Sequence, residues 1–216
     1  MGFLEYLIQR WDHILELAIE HAQLVLIALV IATAISVTLG VLVYRNDLLA
    51  GTVLNVTGVF VTIPSFALFG LLIPILGIGA PPVILALVMY ALLPIVRNTI
   101  VGLRSVDSAI TESAQGMGMS RWQRLLRIEL PLAWPVILAG IRVSTLLLMG
   151  IAAIGAIVNG GGLGEDIFSG LARVGTDQAL NLVLSATLGI VLLALIFDGI
   201  ISLLARITTS GGVKND

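Results

Sequence analysis

Five stretches of this chain are each long and apolar enough to cross the hydrocarbon core of a bilayer, which takes roughly 20 residues of helix. They run over His21–Val43, Val53–Leu76, Val83–Val101, Leu132–Val158 and Gln178–Ala205. Composition agrees. Of the 216 residues, 58% are hydrophobic and 11% charged, with a mean hydropathy of +1.11, whereas a soluble domain carries about 25% charged residues. The expected fold is an all-α membrane protein, a polytopic bundle of five transmembrane helices. Residues 1–18 form an external amphipathic segment before the membrane domain at 19–206, and a polar tail follows at 207–216.

Several function classes are excluded. A net charge of −2 gives no grip on nucleic acid. The absence of cysteine removes disulfides, thiol catalysis and thiolate metal sites. There is no G-x-x-x-x-G-K-[ST] loop, and the single lysine is Lys214 in the tail, so this chain does not bind ATP in P-loop fashion. His13 and His21 are too isolated in sequence for a triad or a metal cluster. No catalytic residue, metal or cofactor is expected in this chain. The first twenty residues lack a basic segment followed by an apolar run, which argues against a cleaved signal peptide.

Arginine placement sets the topology. Arg45, Arg104, Arg121, Arg124, Arg127, Arg206 and Lys214 fall in breaks on one side of a five-span map. The other side receives Arg10 and Arg173 with Glu5, Asp12, Glu16, Glu20, Glu165, Asp166 and Asp177. The positive-inside rule then places the N-terminus outside and the C-terminus in the cytoplasm of a bacterial plasma membrane. Before the first span, Leu4, Leu7, Trp11, Ile14, Leu15 and Ala18 share one helical face. Two readings fit that face: a helix lying in the outer interface with Trp11 at headgroup level, or a plain continuation of the first span.

One long polar segment interrupts this hydrocarbon, between the third and fourth spans: "ESAQGMGMSRWQRLLRIELP", Glu112–Pro131. Ser113, Ala114, Gly116 and Gly118 are small enough for close backbone approach and a sharp turn between two short helices. Met117, Met119 and Trp122 suit an apolar groove on a partner. Arg121, Arg124 and Arg127 repeat every third residue, which also fits attraction to anionic headgroups. Pro131 suits the first turn of the next span.

Glu112-Ser113-Ala114, Gly118, Ile128, Leu130 and Pro131 match the spacing E-[AS]-A-x3-G-x9-I-x-L-P over its whole length. The segment resembles the EAA signature of bacterial ABC-importer permeases. "YALLPIVRNTIVGLRSVD", "ELPLAWPVILAGIR" and "NGGGLGEDIF" are similar to permease subunits of osmoprotectant importers for glycine betaine, choline, carnitine or proline betaine. The likeness runs from about Leu17 to Ala205, and permeases for methionine and other amino acids share the same architecture. It implies a type I importer permease fold, with coupling helices in residues 107–131 seated in a cleft of a cytoplasmic ATPase. The coupling residues it implies are Glu112, Ser113, Ala114, Gly118, Met119, Arg121, Trp122, Arg124, Leu130 and Pro131. The implied partners are two ATPase subunits, which carry ATP and Mg, a second permease, identical or paralogous, and an external solute-binding protein.

Candidate pathway or gate residues follow from depth. Pro64, Pro74 and Pro94 interrupt apolar helices, either as plain kinks or as breaks facing a water-filled path. Phe66 is one of four aromatics scattered over two spans, too few for an evident cage around a quaternary ammonium ion. Gly161 and Gly162 end the fourth span, as a gate element or a flexible turn. Arg97, Arg142 and Asp198 are the deepest ionisable groups, so Asp198 is expected to pair with Arg97 or Arg142. An ion-coupled carrier is disfavoured because Asp198 is a lone carboxylate and no inverted repeat is visible. A channel would need a filter or rings of charge, and neither is seen.

Overall fold

The computed structural model describes residues 2–208 and is helical throughout, with no strand among those residues. A short helix α1 (Phe3–Gln9) ends at Arg10, and α2 (Trp11–Val43) follows at once. At 1.5 Å per residue α2 is about 50 Å long, well over a hydrocarbon core of about 30 Å. The chain therefore continues the first span back to Trp11. The expected apolar face divides: Ile14 is buried and Leu7 and Ala18 pack with it against Tyr6, Leu17, Leu182 and Ala186, while Leu4, Trp11 and Leu15 are exposed.

The second span differs most from its expected form. Val53–Leu76 is not one straight crossing but two helices, α3 (Asp47–Thr62) and α4 (Ser65–Leu76), bent by 98°. The cause is Pro64. Proline pushes its predecessor out of the helical region, and both Ile63 (ψ 127°) and Pro64 (ψ 132°) are extended. The carbonyl of Ile63 accepts a hydrogen bond from the Tyr90 hydroxyl at 2.5 Å. A freed backbone group is thus satisfied by protein, as a low-dielectric surrounding requires.

Helix α5 (Ala80–Arg104) forms the centre, packed between α2 and α8 (Leu130–Ile154). Of its most apolar 18-residue stretch 61% is buried. Pro94 interrupts its hydrogen-bond ladder, and hydroxyls from both neighbours reach carbonyls just upstream of it. Ser144 of α8 donates to Ala91 O (3.2 Å) and Ser36 of α2 to Leu92 O (3.3 Å). Glycine lets the helices approach: a Cβ at Gly140 would lie 2.8 Å from the Pro94 carbonyl. Without a hydrophobic drive between helices in lipid, such close packing supplies the association energy.

The fourth span also departs from expectation. Its helical path begins at Arg121, not Leu132, and runs unbroken through α7 (Arg121–Arg124), a π-helical segment (Leu125–Glu129), α8 and a 3-10 turn (Gly155–Val158). Pro131 lies in the first turn of α8, as expected, although the helical path does not restart there. It sits at the start of α8 directly after the π segment, whose wider turn accommodates the missing N–H. Helix α6 (Ser108–Gly116) precedes this path. On the other side α9 (Gly164–Leu171) leads to the last span, α10 (Asp177–Thr208). Only 6% of the most apolar stretch of α10 is buried, so that helix is peripheral within one chain. Four helices cross on length and composition, and the bent α3–α4 pair makes five. Residues 209–216, including Lys214, lie outside the described residues.

Candidate functional site

The Glu112–Pro131 segment folds as a helix, a turn and a second helix, each end capped by its own sequence. Asp107 caps α6, its carboxylate accepting from Ala109 N at 2.9 Å. At the far end Gly118 takes φ +82°, and the N–H groups of Gly118 and Met119 return to the carbonyls of Gln115 (2.9 Å) and Ala114 (3.1 Å). This is a Schellman ending, and its left-handed residue is where glycine costs least. Ser120 then opens α7 with a capping box. Its hydroxyl accepts from Gln123 N (3.3 Å) while Gln123 Oε1 accepts from Ser120 N (2.8 Å). Met119 alone separates the two caps.

The small residues have separate tasks. Ala114 is buried, and Ser113 donates to Ala109 O at 2.7 Å. A Cβ at Gly116 or Gly118 would meet nothing within 4 Å, so neither serves close approach inside this chain. Gly118 is required by its backbone angle, and the space around it is open. The bulky residues do not behave alike. Met117 (76%) and Trp122 (64%) are exposed, whereas Met119 is half-buried. The three arginines also part company: Arg121 and Arg127 are exposed, while Arg124 turns inward to donate to Gln115 Oε1. Glu112 lies with Arg45, Gln115, Arg124 and Glu129 around a cleft of about 320 Å³.

At the base of this segment a cluster forms around a buried carboxylate. Glu129, the last residue of the π segment, is 2% exposed. Its Oε2 accepts from the Tyr44 hydroxyl (2.6 Å) and its Oε1 from Arg45 Nη2 (2.9 Å). Arg45 Nε donates in turn to the Tyr44 oxygen at 2.6 Å. Burial, then the hydrogen bond to Glu129, pushes the Tyr44 phenol above its ordinary range, so it keeps the proton it donates. Arg104, at the end of α5, reaches the same loop through Tyr44 O (2.7 Å) and Asp47 (2.9 Å). Sequence reading did not single out this cluster. Its one signal is a carboxylate wedged between Ile128 and Leu130, and its partners lie 84 and 85 residues away.

Of the deep charges, Asp198 pairs with Arg142. The contact is two-pronged, through Nε to Oδ1 and through Nη2 to Oδ2 at 2.7 Å. It lies on the outside of the single chain, with side-chain exposures of 51% and 23%. Arg97 is exposed on α5 and has no ion-pair partner among the described residues. Pro64 makes the bend described above, and Phe66, on α4, is exposed.

At the opposite end, Asn159 (φ 57°), Gly161 (φ 85°) and Gly162 (φ 82°) form a left-handed loop. Gly162 N donates to Glu20 Oε2 at 3.0 Å, which ties the loop to α2. A Cβ at Gly162 would press on His21 at 3.1 Å. His21 is fully buried and bonds Met149 O at 3.1 Å. His13 Nε2 meets Asp166 Oδ1 at 3.0 Å. Burial and the neighbouring Glu20 hold the Glu165 carboxyl above the usual range. Among the described residues no three His, Asp or Glu side chains are placed to share a metal ion.

The described residues thus form a polytopic helical bundle, long and apolar enough to cross a membrane, with a capped polar helix pair at one end. The family of binding-protein-dependent transport system inner membrane components matches residues 18–209, and the chain belongs to it. It is therefore a multi-pass inner-membrane permease component. The osmoprotectant import permease protein OsmW of Salmonella typhimurium is 38% identical, covering 99% of this chain and all of that protein. The choline transport system permease protein OpuBB and the glycine betaine/carnitine/choline transport system permease protein OpuCB, both of Bacillus subtilis, are each 37% identical over 90% of this chain and 88% of their own. A chain from inward facing conformations of the MetNI methionine ABC transporter shares the fold. Its TM-score is 0.80 at 22% identity, covering 91% of this chain and 96% of that one.

Proposed function

We propose that this permease forms half of the translocation pathway of an ATP-driven importer for osmoprotectants of the quaternary-ammonium class. Within Glu112–Pro131 the α6–α7 turn is the handle gripped by a separate ATPase chain, and the residues after Arg124 carry it into α8. The observation that carries the handle is the capped helix pair itself. Two caps one residue apart fix a rigid turn, while Met117 and Trp122 stand exposed beyond it and the space around Gly118 is open. A rigid support with exposed apolar anchors is what a partner's pocket needs. The solute class rests on the relatives at 37–38% identity, which are permeases for osmoprotectants, choline, and glycine betaine, carnitine and choline.

In this reading two ATPase subunits drive two permeases, the Arg45 end faces the cytoplasm, and an external binding protein delivers solute to the Asp166 end. Arg142 and Asp198 line the path. Arg142 is about 18 Å along α8 from Leu130, and Asp198 about 15 Å along α10 from Thr208, both near mid-membrane. A half-exposed ion pair at that depth is costly against lipid, so it faces water or the second permease.

Gly118→Leu tests the handle in vesicles holding permease, ATPase and binding protein. The variant should insert normally, yet lose ATPase binding or its response to solute-loaded binding protein, with uptake near background. Normal stimulated turnover would rule the handle out. Labelled glycine betaine, challenged with choline, carnitine and methionine, tests the solute class; competition by methionine alone would move the permease to the amino-acid importers.

A further inference from the structure

We infer that Glu129, clamped by Tyr44 and Arg45, is the joint through which motion of the α6–α7 handle reaches the spans. The inference rests on reading that handle as the ATPase contact. Helix α7 continues into α8 only through the π segment Leu125–Glu129. A π turn is wider and weaker than an α turn and is found mostly as an isolated bulge at functional sites. Left alone, such a segment would bend and absorb a push on α7. Glu129 closes it. Both its carboxylate oxygens are held by the chain just after α2, and Arg104 fastens the end of α5 to Tyr44 O and Asp47 in the same loop. The ends of α2, α5 and α8, the three helices that pack as the core, are thereby pinned at one point directly beneath the handle.

The chemistry fits a geometric role better than a stabilising one. Glu129 is buried while its partner Arg45 is 40% exposed, and a desolvated carboxylate held this way commonly serves to fix one arrangement. Here Arg45 donates to Tyr44, Tyr44 to Glu129, and Arg45 again to Glu129, a closed ring that permits one register between α2 and the π segment. Glu129 is a positioning residue: it touches neither solute nor nucleotide.

The test uses the assembled importer in vesicles, with solute uptake per ATP hydrolysed as the readout. Glu129→Gln should keep ATPase bound at the wild-type ratio and keep basal hydrolysis, yet lower uptake per ATP about tenfold, within the range of site-to-site coupling. Arg45→Gln should do the same, and the double variant no worse than either alone, because the two act as one unit. If the Glu129→Gln permease fails to fold, Tyr44→Phe decides, since it removes the two hydrogen bonds of the phenol and keeps the ring packing; it should lower uptake per ATP in permease that still folds and binds its ATPase. Uptake per ATP within twofold of wild type in the assembling variants, multiplicative losses in the double variant, or loss of ATPase binding in Glu129→Gln would each overturn the joint. A defective Gly118→Leu beside normal clamp variants rejects the joint alone, whereas a normal Gly118→Leu rejects the handle on which it rests.

Discussion

At the Arg45 end the loops are held by charged side chains spaced along capped helices, and bulky apolar residues are left outside. At the Asp166 end the loop 159–163 is held by backbone fit, with left-handed glycines set against α2 and α8 and little apolar bulk exposed at the contact. A Cβ at Gly116 or Gly118 would meet nothing within 4 Å, whereas one at Gly160, Gly162 or Gly164 would press on its neighbours. Two ends of one bundle, joined by the same helices, thus place different demands on the same residue type. Gly118 answers an angle alone, whereas Gly162 answers an angle and a lack of space together.

Substitutions can break that contrast. The largest effect is expected at Gly164, where a methyl would overlap the Ala153 backbone carbonyl. Gly164→Ala should destabilise by at least about 3 kcal/mol, at the upper end of overpacking costs, and little folded permease should be recovered from membranes. Wild-type yield and melting temperature would show that this end is not closed by fit. Gly162→Ala comes next, combining a left-handed angle with pressure on His21, at about 2 kcal/mol. Gly118→Ala meets open space and should cost only the angle, about 1 kcal/mol. Thermal unfolding of the purified permease orders the three, and equal losses at Gly118 and Gly164 would erase the distinction.

The smallest expected effect is a pH dependence confined to the Asp166 end. The Glu165 carboxyl binds its proton more tightly in the folded protein than the ordinary value of 4.5. The folded state is then favoured below that value, and the contribution is lost as pH rises through the raised folded pKa. Glu165→Gln should remove this slope while leaving the Arg45 end untouched. Parallel melting curves for variant and wild type between pH 4 and 7 would show that Glu165 carries none of it.

Much of this organisation is legible in the sequence. Hydropathy marks the crossings because membrane thickness fixes helix length, and the spacing from Glu112 to Pro131 marks the capped segment. The Arg142–Asp198 pair follows from depth, since an unmatched charge there is disfavoured. What stays hidden is geometry that hydropathy does not carry. Pro64 and Pro94 look alike in sequence, yet one sits at a 98° break and the other stays inside α5, where Ser36 and Ser144 donate to the nearby Leu92 and Ala91 carbonyls. Pro131 reads as a helix start but follows a π segment within a continuous path. Glu129 and His13 find partners far along the chain, and only packing reveals such pairs.

The bend at Pro64 has a consequence for how the protein is made. Helix α3 is about 24 Å long and α4 about 18 Å, so neither half alone spans a core of about 30 Å. Insertion machinery responds to apolar length along the emerging chain, and it meets Val53–Leu76 as one adequate segment. Tyr90, whose hydroxyl satisfies the opened Ile63 carbonyl, is synthesised later. The corner is therefore finished only after the third span has entered the bilayer, and a nascent chain arrested before Tyr90 would carry an unsatisfied carbonyl in lipid if already bent. Bending belongs to assembly in the membrane, not to entry.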